Sequence, residues 1–142
     1  MERFVNIMII EQDDAVRNRL KKLLLGGGNN ILSVKTIKDA LPIIDQKEIG
    51  IYLVDIDDSL NGETNLKSIK DRSQFKNHYI ILLTKENSES VNLVKGMHQG
   101  AVDFLTYPFQ ENIIKSKIEV YKTLYFKDQR IGQLLNNIFP EN

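Results

Sequence analysis

The chain has 142 residues, enough for a single domain with a buried core and a helical extension. Apolar residues make up 42% and charged residues 27%, ordinary for a globular protein, and 19 basic side chains balance 19 acidic ones, so no net field draws it to nucleic acid or a membrane surface. It has no cysteine, which excludes disulfides, thiolate metal sites and cysteine catalysis. No apolar run approaches the roughly 18 residues that cross a bilayer, and Met1-Glu2-Arg3-Phe4 lacks signal-peptide character, so a cytoplasmic location is expected.

In chain order, Phe4–Ile10 reads as the first strand: apolar, rich in Ile and too short for a buried helix. Asp13-Asp14 can cap a helix carrying Val16, Leu20, Leu23 and Leu24, which stops at Gly26-Gly27-Gly28. Ile31–Val34 is the second strand. Ala40, Leu41, Ile43 and Ile44 mark a second helix, in which Pro42 is expected within the first turn, where its missing N–H matters least. Ile51–Val54 is the third strand, and Leu66 and Ile69 anchor the helix after it. Tyr79–Leu83 is the fourth strand, followed by a helix on Val91, Val94 and Met97 that stops at Gly100; Ala101–Leu105 is a weaker fifth. Several strands are continuously apolar, as expected when helices cover both faces of a sheet. Five strand–helix alternations predict an α/β fold with a doubly wound, five-stranded parallel sheet.

The last helix is long. A heptad-like pattern runs from Ile113 to Ile138 through Ile114, Tyr121 and Leu135, interleaved with Leu124, Ile131 and Ile138, with Lys117 and Asp128 interrupting the seam. Lys115, Lys117 and Lys122 read as the solvated face of that helix, and a signalling helix that continues into a dimer or another domain is the functional expectation. We divide the chain into a domain over residues 1–126 and a helical extension over 127–142.

Asp55, which follows Ile51-Tyr52-Leu53-Val54, is the residue that any function must explain. An apolar strand delivers it to the carboxyl edge of the sheet, where open α/β sheets bind ligands. Gly26-Gly27-Gly28 lacks a following Lys-Ser/Thr and sits after a helix, so it is a stop signal rather than a phosphate loop. His78 and His98 are too scattered for a metal site.

Five strand–helix units, an acidic position after strand one, Asp55 ending strand three and Thr84 ending strand four together resemble a response-regulator receiver domain. The Gly100-Ala101-Val102-Asp103-Phe104-Leu105-Thr106-Tyr107-Pro108-Phe109 segment carries the most specific part of the resemblance, which covers about residues 4–125. It implies a flavodoxin-like sheet of order 2-1-3-4-5 with an extended carboxyl-terminal helix, and a two-component signalling module that is not itself an enzyme. It further implies that Asp55 accepts a phosphoryl group from a histidine kinase or phosphotransfer protein. Mg²⁺ would be held by Glu11, Gln12, Asp55 and Asp57, and Thr84, Tyr107 and the switch aromatic Phe104 would respond to the phosphoryl group.

The chain departs from that pattern in ways that matter chemically. Glu11 is a mild change, but Gln12 stands where a metal-ligating acid is expected. Losing one unit charge near 4 Å forfeits up to about 4 kcal/mol at an effective dielectric of about 20. Asp13 or Asp57 could compensate in part. Tyr107 replaces a Lys and carries no positive charge near neutral pH; Tyr107-Pro108 is still expected to be cis. Ser59 replaces a Pro, and Gly62 falls one residue early. These changes describe a degenerate receiver with weak or absent phosphorylation and weak or absent Mg²⁺ binding. Its output would be protein–protein contact through strand five and the last helix, with an effector domain, a partner protein or a second copy.

A different class of function also fits part of the chain. Asp55-Ile56-Asp57-Asp58-Ser59 is similar to the Asp-x-Asp-x-Thr/Ser motif of haloacid-dehalogenase-type phosphatases, with Asp55 as nucleophile and Asp57 as acid/base. Two strand–helix units precede it, however, and no later Lys and acidic pair follow. Finally, Leu134-Leu135-Asn136-Asn137-Ile138-Phe139-Pro140-Glu141 resembles a linker leading into nucleotide-cyclase domains, so a fragment of a larger regulatory protein is a further expectation.

Overall fold

The structure is a computed structural model that describes residues 3–56, 62–72, 77–85 and 90–140, without the side chains of 62–65 and 90–92. Its elements alternate: β1 Val5–Ile10, α1 Asp14–Leu23, β2 Asn29–Val34, α2 Ile37–Gln46, β3 Ile51–Asp55, α3 Gly62–Arg72, β4 Tyr79–Lys85, α4 Ser90–His98, β5 Asp103–Tyr107 and α5 Glu111–Ile138. All strand pairs are parallel and the sheet order is β2-β1-β3-β4-β5, the doubly wound arrangement expected from the alternation.

Side chains alternate across a strand, so the sheet builds two cores. Ile7, Ile9, Ile51, Leu53, Ile81, Leu83 and Leu105 face α1 and α5, where Val16, Leu20, Ile114, Ile118 and Tyr125 cover them. Met8, Ile10, Tyr52, Val54, Ile80 and Leu82 face the opposite way, against Ala40, Ile44, Leu66 and Ile69 of α2 and α3. Both cores are closed to water, which is why residues 7–10 of β1, 51–54 of β3 and 80–83 of β4 read as unbroken apolar runs.

Local chemistry sets the helix ends. Asp13 caps α1, its carboxylate accepting from the amides of Ala15 (2.9 Å) and Val16 (3.1 Å). After α1, Gly26, Gly27 and Gly28 all take positive φ (89°, 61° and 79°). At Gly28 a Cβ would lie 2.4 Å from the Arg3 carbonyl oxygen, so this turn admits nothing larger.

Three expectations need correction. Thr36 caps α2 through the Asp39 amide (3.2 Å), so the helix starts at Ile37 and Pro42 lies in its interior, past the first turn. Burial of Ala40 and Ile44 on both sides of it offsets the lost backbone hydrogen bond. In α4, Val94 and Met97 are exposed, not core. Gly96 faces the sheet instead, where a Cβ would lie 2.5 Å from Leu82 Cδ1, and this close approach selects the buried side of the helix. On α5, Lys122 is buried rather than solvated, its ammonium donating to the Gly27 carbonyl and to Glu119 (3.3 Å). Lys117 is drawn in too, donating to Asp103 (3.0 Å) and to the Phe104 carbonyl (2.8 Å).

Candidate functional site at the carboxyl edge of the sheet

Glu11 continues the alternation of Ile7 and Ile9 one step past β1. Asp55 does the same after Leu53, Lys85 after Leu83, and Tyr107 after Leu105. Four neighbouring strands therefore present Glu11, Asp55, Lys85 and Tyr107 from one edge, on the face that α1 and α5 cover. With Val16, Leu83, Thr84 and Phe109 they line a narrow cleft of about 10 Å³, comparable to a single water.

The acidic pair in this cleft is strained electrostatically. Burial above all, then a hydrogen bond shared with Asp55 and the like charge of Asp55, push the Glu11 carboxyl well above its ordinary 4.5. Glu11 Oε2 is buried without a hydrogen-bond partner among the described residues. A buried orphan oxygen beside a second carboxylate is an all-oxygen donor set of the kind that hard divalent cations prefer, so Glu11 and Asp55 fit Mg²⁺. No group of three His, Cys, Asp or Glu side chains suited to a metal occurs among the described residues.

The other expected site residues are distributed unevenly. Gln12 is exposed in the turn after β1 and does not line the cleft. Asp13 is committed to capping α1 and so does not stand in for a missing metal ligand. Asp57 and Ser59 lie outside the described residues. Thr84 is buried at the cleft, its hydroxyl reaching the Lys85 carbonyl (3.4 Å). Tyr107 closes the cleft edge-on to Phe109 (5.3 Å between centroids), and the Tyr107-Pro108 bond is cis, as expected.

Phe104 belongs to the opposite parity from Leu105. Its ring is 38% exposed, lies outside the cleft, and has the Lys117 ammonium 5.2 Å from its centroid. Sequence reasoning passed over Lys85. The part of the signal present in the sequence was strand parity, which puts Lys85 in step with Ile81 and Leu83; its pairing with Tyr107 came from the register of β4 on β5.

A second feature flanks the site. Phe104, Leu105, Pro108, Phe109, Ile113 and Lys117 line a shallow cavity of about 350 Å³ between β5 and α5. Val94, Met97, Phe104, Ile113, Val120 and Leu124 are exposed on α4, β5 and α5, as is Val102 in the connection before β5.

Comparison with known proteins agrees with this geometry. The family model for the response regulator receiver domain matches residues 7–119. The chain is similar to response regulator protein FleR of Pseudomonas aeruginosa, 29% identical over 73% of this chain and 22% of that protein. It is also similar to regulatory protein VanR of Enterococcus faecium, 25% identical over 93% of this chain and 56% of that one. Among solved structures, the signal receiver domain of an HD domain-containing protein from Pseudomonas fluorescens superposes with a TM-score of 0.80 at 17% identity, covering 92% of this chain and 95% of that one. NtrX from Brucella abortus superposes with a TM-score of 0.82 at 17% identity, over 97% of this chain but 30% of that one. The chain spans between about a fifth and just over half of the length of the curated relatives it matches.

Proposed function

The chain belongs to the response regulator receiver family of two-component signalling, and from that premise we propose that it is a degenerate receiver, in which Asp55 is a weak phosphoacceptor and output runs mainly through protein contact. The haloacid-dehalogenase-type alternative gains no support from the comparisons. Receivers are signalling modules rather than enzymes in their own right, and this one is assigned to the cytoplasm on the same ground.

The observation that carries the reading is the meeting of Glu11, Asp55, Thr84 and Tyr107 in one narrow cleft. Asp55 would attack the phosphorus of a phosphohistidine on a kinase or phosphotransfer protein, forming an acyl phosphate as the imidazole leaves. Thr84 would donate its hydroxyl to a phosphoryl oxygen, and the Tyr107 phenol would offer one more hydrogen bond without charge. Bound Mg²⁺ would offset charge on the phosphoryl oxygens, with Glu11 and Asp55 as the ligands supported here and Gln12 and Asp57 assigned by family resemblance alone. One neutral ligand among these favours weak binding. Phe104, outside the cleft and beside Lys117, is the switch position by resemblance.

Output is assigned to β5 and α5. The exposed apolar residues there suit contact with an effector domain, a partner protein or a second copy. Residues 127–142 serve as the helical extension toward such an effector, which in the linker resemblance would be a nucleotide cyclase. The test is incubation with Mg²⁺ and a small acyl phosphate, read by intact mass. We expect a slow, partial gain of one phosphoryl group that Asp55→Asn abolishes. Rapid, complete labelling would show that the receiver is not degenerate, and labelling that survives in Asp55→Asn would remove Asp55 from the reaction.

A further inference from the structure

Two carboxylates, Glu11 and Asp55, share the cleft with one cationic side chain among the described residues, Lys85. Its place is dictated by backbone geometry. Ile81 and Leu83 point into the core under α1 and α5, so the next residue of that parity, at the last position of β4, points the same way at the edge of the sheet. There it pairs in register with Tyr107 on β5. The phenol of Tyr107 brings no charge, so Lys85, exposed at the rim, is the one cationic side chain lining the cleft beside the acidic pair among the described residues.

We propose that Lys85 is the cation of the Asp55 site: its ammonium, delivered from the end of β4, balances the Glu11–Asp55 pair and binds an oxygen of the phosphoryl group carried by Asp55. The second half of the assignment rests on the receiver reading; the first does not. A charge in this place has two effects of opposite sign. It repels a divalent cation from the carboxylates and it holds an anionic phosphoryl group. A lysine merely solvated at a strand end does neither.

Both effects are measured on the full chain at low ionic strength, where screening is weakest. The first measurement is Mg²⁺ binding by titration calorimetry. Lys85→Gln is expected to tighten it several-fold, up to about thirtyfold for one unit charge about 4 Å from a divalent ion in a water-like dielectric, and Lys85→Arg is expected to leave it as in wild type. Affinity for Lys85→Gln within twofold of wild type, or no detectable binding by either protein, overturns the proposal.

The second measurement is the fraction phosphorylated by a small acyl phosphate in a cycle of wild type, Lys85→Gln, Tyr107→Lys and the double variant. Tyr107→Lys should restore labelling lost in Lys85→Gln while adding little to wild type. Equal effects of Tyr107→Lys in both backgrounds would refute a shared role for the two positions. If wild type takes up no phosphoryl group, the receiver reading fails there, and the Mg²⁺ titration alone decides the place of Lys85.

Discussion

Glu11 and Asp55 place two carboxyl groups in one cleft, and like charges so close cannot both ionise without help. Beside the proposed Lys85 counter-charge, a proton on Glu11 or a divalent cation supplies that help, which makes Glu11 the residue where metal and proton compete. Glu11→Gln mimics the protonated acid in shape and hydrogen bonding. We expect it to melt within about 3 °C of wild type in metal-free buffer, a shift equivalent to less than about 1 kcal/mol, and to lose any rise in Tm that Mg²⁺ produces in wild type. A Tm increase with Mg²⁺ that is undiminished in the variant would mean that the metal sits elsewhere. Lys122 poses a different residue-scale question, because it is a buried ammonium clamped on the Gly27 carbonyl. Lys122→Met keeps the apolar stem but leaves that carbonyl without its donor, so urea unfolding should show a loss of about 1–3 kcal/mol. A loss under 0.5 kcal/mol, the size typical of a surface substitution, would mean that the clamp is not formed in solution.

At the scale of elements, α5 is fastened to the sheet by polar contacts as well as by Ile114 and Ile118. Asp103 on β5 receives Lys117 (3.0 Å) and the Tyr121 hydroxyl (3.0 Å) from α5. Burial alone would raise the Asp103 carboxyl, but the Phe104 amide, Lys117 and Tyr121 outweigh it and hold it below the ordinary 3.8. A carboxyl depressed in the folded state adds stability that is present above its unfolded value and lost as pH falls through the folded one. Acid titration of unfolding should therefore show wild type losing stability below about pH 3.8 more steeply than Asp103→Asn. Parallel acid limbs for the two proteins would sever Asp103 from the docking of α5. Because Lys117 also stacks on Phe104, the same contacts tie the position of that exposed ring to the helix.

For the whole molecule, α5 runs over 28 residues, beyond the body of the domain. The Asp128 carboxylate still accepts from the Tyr79 hydroxyl, after which Ile131, Leu134, Leu135 and Ile138 are all half or more exposed. If this stripe is an output or dimer surface, removing residues 131–142 should abolish concentration-dependent mass in sedimentation while leaving Tm within about 3 °C, since no core residue is lost. A concentration-independent monomer before truncation would argue against self-association. The alternating strand and helix periods determined the architecture from sequence alone, down to the Asp13 cap, the glycine stop and Asp55 at a strand end, because those signals are local in the chain. The Gly-Ala…Pro-Phe segment and the departures at Gln12 and Tyr107 were equally legible. Tertiary structure decided what depends on neighbours distant in sequence: Pro42 carried inside a helix by burial on both sides, Gly96 turning Val94 and Met97 outward, and Lys122 drawn under the domain by the Gly27 carbonyl. It also decided that Lys85 shares a cleft with Glu11 and Asp55, since strand parity and sheet order together, and neither alone, bring residues from β1, β3, β4 and β5 to one edge.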